Sequence, residues 1–246
     1  MTDAARYTFV LIHGAWHDGS LWAPVAEHLR RLGHIVHTPT VAGHGKSADK
    51  NVSHADGVKS IVDYITGNGL EGFVLLGHSF GGTIVSRVAE AVPTRIRRLI
   101  YWNAFVLLDG ESIADVSPPH YNTMMDGIAA ASGDNTVMLP FPVWREAFVN
   151  DGDLETAQRT FDALSREPYR MLTDKLDLRT FPSLEIPRSY LNCTEDTAMP
   201  PGPFAWHPRF SSRLGLHRLV QMPGSHEVMF THPSLLAEKI VEAGRD

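Results

Sequence analysis

Residues 77–82, Gly77-His78-Ser79-Phe80-Gly81-Gly82, constrain this chain more than any other stretch. The apolar run Gly72-Phe73-Val74-Leu75-Leu76 precedes them and reads as a buried strand. After them Ile84, Val85, Val88 and Ala89 recur at helical spacing. A serine set between strand and helix sits in a turn so tight that its backbone is strained and its neighbours must be nearly without side chains. Gly77, Gly81 and Gly82 meet that demand. The hydroxyl of Ser79 then projects above the sheet, and the N–H of Phe80 points into the same space. Gly-x-Ser-x-Gly arises often by chance, and its strand–helix context is what makes it a site prediction.

The rest of the chain supplies the frame for such a turn. Tyr7-Thr8-Phe9-Val10-Leu11-Ile12 predicts a central strand running into the turn His13-Gly14-Ala15-Trp16. Ser20 is the expected cap of a helix carrying Leu21, Trp22, Val25, Leu29 and Leu32 and ending at Gly33. Residues 35–39 form the next strand, and Ser53 caps a second helix with Val58, Ile61, Val62 and Ile65 on one face. Residues 97–103 make a fourth strand, 186–193 a fifth and 216–222 a sixth, and a helix closes the chain from a cap near residues 231–234. Strands alternating with helices imply a parallel sheet with right-handed crossovers. Between about residues 105 and 185 the pattern changes to prolines, short helical pieces and four of the eight methionines, which reads as a cap over the strand ends. The expectation is one domain, residues 1–246, with a core of 1–104 and 186–246 and a cap of about 105–185.

Composition narrows the function. With 43% hydrophobic and 20% charged residues and a net charge of −6, the chain has an ordinary soluble composition and no basic face for nucleic acid. The opening Met1-Thr2-Asp3-Ala4-Ala5-Arg6 lacks an apolar signal-peptide core, and no run approaches the ~20 apolar residues of a membrane span. A single cysteine, Cys193, excludes an intrachain disulfide and a cysteine metal site. None of the thirteen histidines forms a His-Glu-x-x-His pair, and His13 and His17 share their four-residue spacing only across a glycine-containing loop. Nor does a Gly-x-Gly-x-x-Gly loop follow the first strand, and Gly43-His44-Gly45-Lys46-Ser47 lacks the first glycine of a phosphate loop. The expectation is a cytoplasmic protein with no metal and no cofactor, binding neither nucleic acid nor membrane, with a homodimer left open.

A serine hydroxyl is a poor nucleophile and needs a base that a third group holds in place. Asp196 follows a late strand and His226 follows the last one, so nucleophile, acid and base fall in the chain order of the α/β-hydrolase triad. Glu195 and Asp109 are rival acids; Asp196 is preferred because it ends a strand-to-loop step shortly before the histidine strand. A tetrahedral intermediate needs two N–H donors, and Phe80 and Ala15 are placed to give them. His13, Trp16, Met125 and Phe141 are candidate substrate contacts. For His13, as for His78, hydrogen bonding of the loop backbone is the preferred account of its place in a tight turn.

With those residues in place the chain resembles the α/β-hydrolases of the small esterase and hydroxynitrile lyase branch, which includes plant methylesterases. The resemblance rests on His13-Gly14-Ala15-Trp16, Gly43-His44-Gly45-Lys46-Ser47, residues 77–82, Glu195-Asp196 and Gly224-Ser225-His226, and it runs nearly end to end. It implies an α/β-hydrolase fold: a mainly parallel six-stranded sheet, helices on both faces, and a cap inserted after the fourth strand. Phe141-Pro142-Val143-Trp144 is similar to a cap segment whose tryptophan faces the substrate, which implies a substrate contact for Trp144. Cyanohydrin-cleaving members carry a lysine after the catalytic histidine, where this chain has Glu227. Hydrolysis of a small or medium apolar carboxylic ester, lactone or thioester through an acyl-enzyme is therefore the expected activity. The alternatives are a cofactor-independent lyase or oxygenase on the same fold, or a small-molecule receptor with a vestigial triad.

Overall fold

Phe9, Val10, Leu11 and Ile12 are all fully buried, because the strand that carries them, β1 (Thr8–Ile12), lies inside a sheet covered on both faces. The computed structural model describes residues 6–246. The opening residues 1–5, read above for a signal sequence, lie outside them. The chain continues through α1 (Ala23–Arg31), β2 (Ile35–His37), α2 (His54–Gly67), β3 (Phe73–His78), α3 (Gly81–Ala91) and β4 (Ile96–Trp102). Between β4 and the next sheet strand come α4 (Ile113–Val116), α5 (Pro119–Ser132), β5 (Thr136–Val137), α6 (Phe141–Val143), a π-helical turn (Trp144–Phe148), α7 (Leu154–Ala163), β6 (Glu167–Pro168) and α8 (Arg170–Thr173). The chain then closes with β7 (Arg188–Cys193), β8 (Arg218–Met222), α9 (Val228–Thr231) and α10 (Pro233–Gly244).

The six long-range strands pair in parallel in the order β2-β1-β3-β4-β7-β8, and β5 pairs with β6 in a separate antiparallel ribbon. Strand side chains alternate between faces. Val10 and Ile12 belong to one buried cluster with Ile61 and Ile65 of α2 and Ile84 and Val88 of α3, while Phe9 and Leu11 belong to another with Val25 and Leu29 of α1 and Leu236 and Ile240 of α10. Burying each such side chain contributes about 1.5–3 kcal/mol. Met125, Leu139, Trp144 and Phe148, from the insertion after β4, belong to the same cluster as Val10 and Ile12.

The chain leaves β1 towards β2 on one side and returns to place β3 on the other, so the crossovers from β1 and β3 diverge. In open α/β sheets such a switch point leaves a crevice at the carboxyl ends of the two strands. Ile12 pairs with Gly77, which brings the turn after β1 beside the turn after β3.

Several local expectations are corrected. Asp18, not Ser20, caps the first helical segment: its Oδ1 accepts the Ser20 N–H at 2.8 Å, and a 3-10 turn (Gly19–Trp22) precedes α1. Asp18 accepts from the first turn, while Ser20 lies inside that turn and is itself a donor to Asp18. The helix stops before Leu32, which is 49% exposed. At α2 the sequence reading stands, with Ser53 and Asp56 forming a reciprocal capping box. Strand β8 starts at Arg218 rather than at Leu216, whose side chain is 98% exposed.

Candidate active site

Ser79 sits at the end of β3 with φ +53°, a left-handed conformation that a residue with a Cβ adopts only under local constraint. Glycines make that turn sterically feasible. A Cβ on Gly77 would come within 2.5 Å of the Gly81 carbonyl oxygen, and one on Gly81 within 2.6 Å of the His13 carbonyl oxygen. Larger residues there would push the turn away from β1. Ser79 is 7% exposed and lines a cleft of about 640 Å³, open mouth included.

His226, 1% exposed, lines the same cleft. Its Nδ1 meets Asp196 Oδ2 at 2.6 Å, and both side chains are essentially sequestered from solvent. Asp196 is fixed in turn, because its Oδ1 accepts the Ala198 N–H at 2.8 Å and its Oδ2 accepts from the Asn103 amide. The imidazole ring lies parallel to Trp206 (5.1 Å, 12°) and edge-on to Phe148 (5.2 Å, 89°). Burial disfavours the His226 imidazolium, yet the Asp196 charge and hydrogen bond, together with the Glu227 charge, outweigh it and raise the pKa above the usual histidine value. The rival acids are engaged elsewhere. Glu195 accepts the Gly224 N–H at 3.1 Å, and the exposed Asp109 accepts the Leu178 N–H at 2.8 Å.

Ala15 and Phe80 both line the cleft, and among the described residues neither N–H is given to another protein group. Trp16 and Met125 line it as well. The other three proposed substrate contacts do not, and each is corrected. His13 Nε2 accepts the Val41 N–H at 3.1 Å, so Nδ1 carries the proton and donates to the Gly14 carbonyl at 2.9 Å; the ring is used up in bracing its own turn. Phe141 packs edge-on against Phe161 inside the cap. Trp144 is fully buried, donates from Nε1 to Thr160 Oγ1 at 3.2 Å, and stacks behind Phe148, which is the ring that faces the cleft.

Sequence reasoning missed Phe148, Trp206, Tyr121 and Asn103. Trp206 comes from the long loop between β7 and β8, where nothing periodic marks an inward-facing ring. Asn103 is fully buried with φ +37°, and its Oδ1 accepts the Cys193 N–H at 2.7 Å while its amide reaches Asp196. An asparagine just past a strand signals only a turn.

No Lys, Arg, Asp or Glu is among the residues lining the cleft. Donor atoms of His78, His226 and Glu227 lie within 4.8 Å of one another, the one such cluster found among the described residues. A metal there would take a nitrogen of His226, and the group is otherwise employed: His78 Nε2 donates to the His226 carbonyl at 3.1 Å, and Glu227 faces His17 Nε2 at 3.3 Å. Burial holds His78 well below the usual histidine pKa, so its ring stays neutral.

Comparison with known proteins agrees with this construction. The profile of the alpha/beta hydrolase family matches residues 9–239. A carbendazim hydrolyzing esterase from Nocardioides sp. is 29% identical over 244 residues, covering 96% of this chain and 99% of that protein. A solved extracellular alpha/beta-hydrolase from a Paenibacillus species is 47% identical with a TM-score of 0.95, over 98% of this chain and 100% of that one; it is described as sharing structural and functional homology with tobacco salicylic acid binding protein 2. A pyrethroid hydrolase structure, 22% identical with a TM-score of 0.76 over 97% of each chain, shows the same fold. Turn, sheet order and sequence likeness lead to one assignment: the chain belongs to the alpha/beta hydrolase family.

Proposed function

We propose that this enzyme hydrolyses uncharged carboxylic esters of small to medium size by way of an acyl-enzyme. The observation that carries the proposal is that Ser79, His226 held by Asp196, and the residues of two uncommitted N–H groups all line one aromatic cleft without Lys, Arg, Asp or Glu. Ser79 Oγ attacks the ester carbonyl while His226 Nε2 takes its proton, and Asp196 holds the imidazole in the tautomer that leaves Nε2 free. Negative charge developing on the carbonyl oxygen meets the N–H groups of Ala15 and Phe80. Collapse expels the alcohol, protonated by His226, and water repeats the sequence to release the acid. A carboxylate product finds no cation among the lining residues and is not retained. The same feature disfavours cyanohydrin cleavage, which needs positive charge beside the departing cyanide. Relatives named as an esterase and as a pyrethroid hydrolase support ester hydrolysis as the reaction class. No helix among the described residues is long and apolar enough to cross a membrane.

The test is turnover of p-nitrophenyl esters of graded chain length by the enzyme and its Ser79→Ala variant. Each acyl CH₂ that the cleft buries should raise kcat/KM about fourfold until the cleft is full. Ser79→Ala should lose roughly a thousandfold or more in kcat with the fold intact. Comparable turnover in that variant would remove the proposal.

A further inference from the structure

Trp16 is held entirely by the insertion after β4. Its N–H donates to Glu167 Oε2 at 2.9 Å, its carbonyl accepts the Ser165 N–H at 2.8 Å, and its indole Nε1 donates to the Val137 carbonyl at 3.2 Å. The residue has φ +65°, a conformation that tryptophan keeps only where its surroundings over-determine it. Its neighbour Ala15 carries one of the two uncommitted N–H groups facing the cleft. That N–H belongs to the preceding Gly14–Ala15 peptide, joined to the Ala15–Trp16 peptide at the Ala15 Cα, so a relaxation of the held peptide reaches the donor through the Ala15 backbone dihedrals.

The carboxylate that holds this peptide is unusual. Glu167 has a side chain wholly sealed from solvent, and Oε1 finds no protein partner. Its Oε2 also lies 2.9 Å from His44 Nε2, itself fully sealed. His44 Nδ1 faces the Ala42 carbonyl at 3.2 Å and must be the donor there, which turns Nε2 of the ring towards the carboxylate. The His44 ring packs against Phe80 (5.4 Å) and His13 (4.7 Å), so the pair touches the residues on both sides of the oxyanion pocket.

We propose that Glu167, paired with His44, is a positioning residue through which the cap sets the Ala15 donor of the oxyanion pocket. The inference rests on the reading of Ala15 and Phe80 as the oxyanion donors. The cap in this enzyme therefore completes the catalytic geometry as well as roofing the substrate.

The test compares the enzyme with Glu167→Leu, Glu167→Gln and His44→Phe, reading kcat, KM, melting temperature and the affinity of a trifluoromethyl ketone. Such a ketone forms a tetrahedral adduct with the serine and reports the oxyanion pocket directly. Glu167→Leu should lower kcat roughly 10- to 100-fold with KM nearly unchanged, and weaken the ketone by a similar factor, somewhat less than losing a donor outright. Glu167→Gln can place its amide oxygen at the Trp16 N–H, which keeps that acceptor, and should restore most of the loss. If Glu167→Leu does not fold, His44→Phe keeps a ring against Phe80 and should show the same split, with kcat reduced and KM retained. Unchanged kcat and ketone affinity in the folded variants, with only melting temperature or KM altered, would reduce the pair to a cap anchor and overturn the proposal. Ser79→Ala is measured alongside: wild-type turnover that does not depend on Ser79 would overturn the site reading beneath it, a failure distinguishable from that of the clamp alone.

Discussion

Asp196 spends both carboxylate oxygens, on His226, on Asn103 and on the Ala198 N–H. Asp196→Asn should cost kcat heavily, because an amide donates where a carboxylate accepts and selects the wrong imidazole tautomer. Asp109→Asn, remote and exposed, should leave kcat within about twofold; a larger loss there than at Asp196 would mean that the acid is misassigned. The pH profile follows from the same contacts. The base must be neutral to accept a proton, so kcat/KM should fall as pH drops through a His226 pKa that lies above the usual 6.5. Removing the Asp196 charge takes away the largest cause that raises it, so in Asp196→Asn the residual activity should fall away at lower pH. A limb that stays put or moves upward would contradict the electrostatic account. Ser79, Asp196 and His226 were legible because the chemistry demands those residue types after particular strands. Asn103 was not, since its importance comes from a contact across 93 positions that no local pattern encodes.

Elements were legible where a physical signal was local. Ser53 announced α2, and the apolar runs announced β1, β3 and β4, all of which lie within a residue or two of the expected ends. The cap was legible as a break in pattern but not in its interior. Trp144 and Phe148 are four residues apart in one π-helical turn and stack on each other, yet only Phe148 lines the cleft. This assigns them different consequences. Phe148→Ala should flatten the dependence of kcat/KM on acyl length by widening the cleft, with little harm to the smallest ester. Trp144→Phe removes the hydrogen bond to Thr160 and should cost about 1 kcal/mol of stability while scaling all substrates alike. A changed chain-length profile in Trp144→Phe, with an unchanged one in Phe148→Ala, would show that the two rings are wrongly placed.

At the scale of the whole molecule, the sheet order explains why one cleft gathers residues 15, 79 and 226. The turns after β1 and β3 meet at the switch point, and the loop after β8 delivers the histidine beside them. The alternation of strands and helices made a parallel sheet legible, whereas the way the 194–217 loop folds Trp206 onto His226 depends on the completed tertiary packing. The proposed mechanism gives His226 to proton transfer rather than to metal. Activity should survive dialysis against a chelator, and loss restored by a divalent ion would show that His78, His226 and Glu227 act as ligands instead. The central claim is that Ser79 forms a covalent bond in the reaction. Intact-mass and peptide-mass measurement after exposure to a fluorophosphonate tests it most directly, because the reagent needs an activated nucleophile and traps it. The account predicts a single adduct on the peptide containing Ser79, complete with loss of esterase activity and absent from Ser79→Ala; full inactivation with the adduct on another residue, or ester turnover that persists while Ser79 is fully labelled, would contradict it.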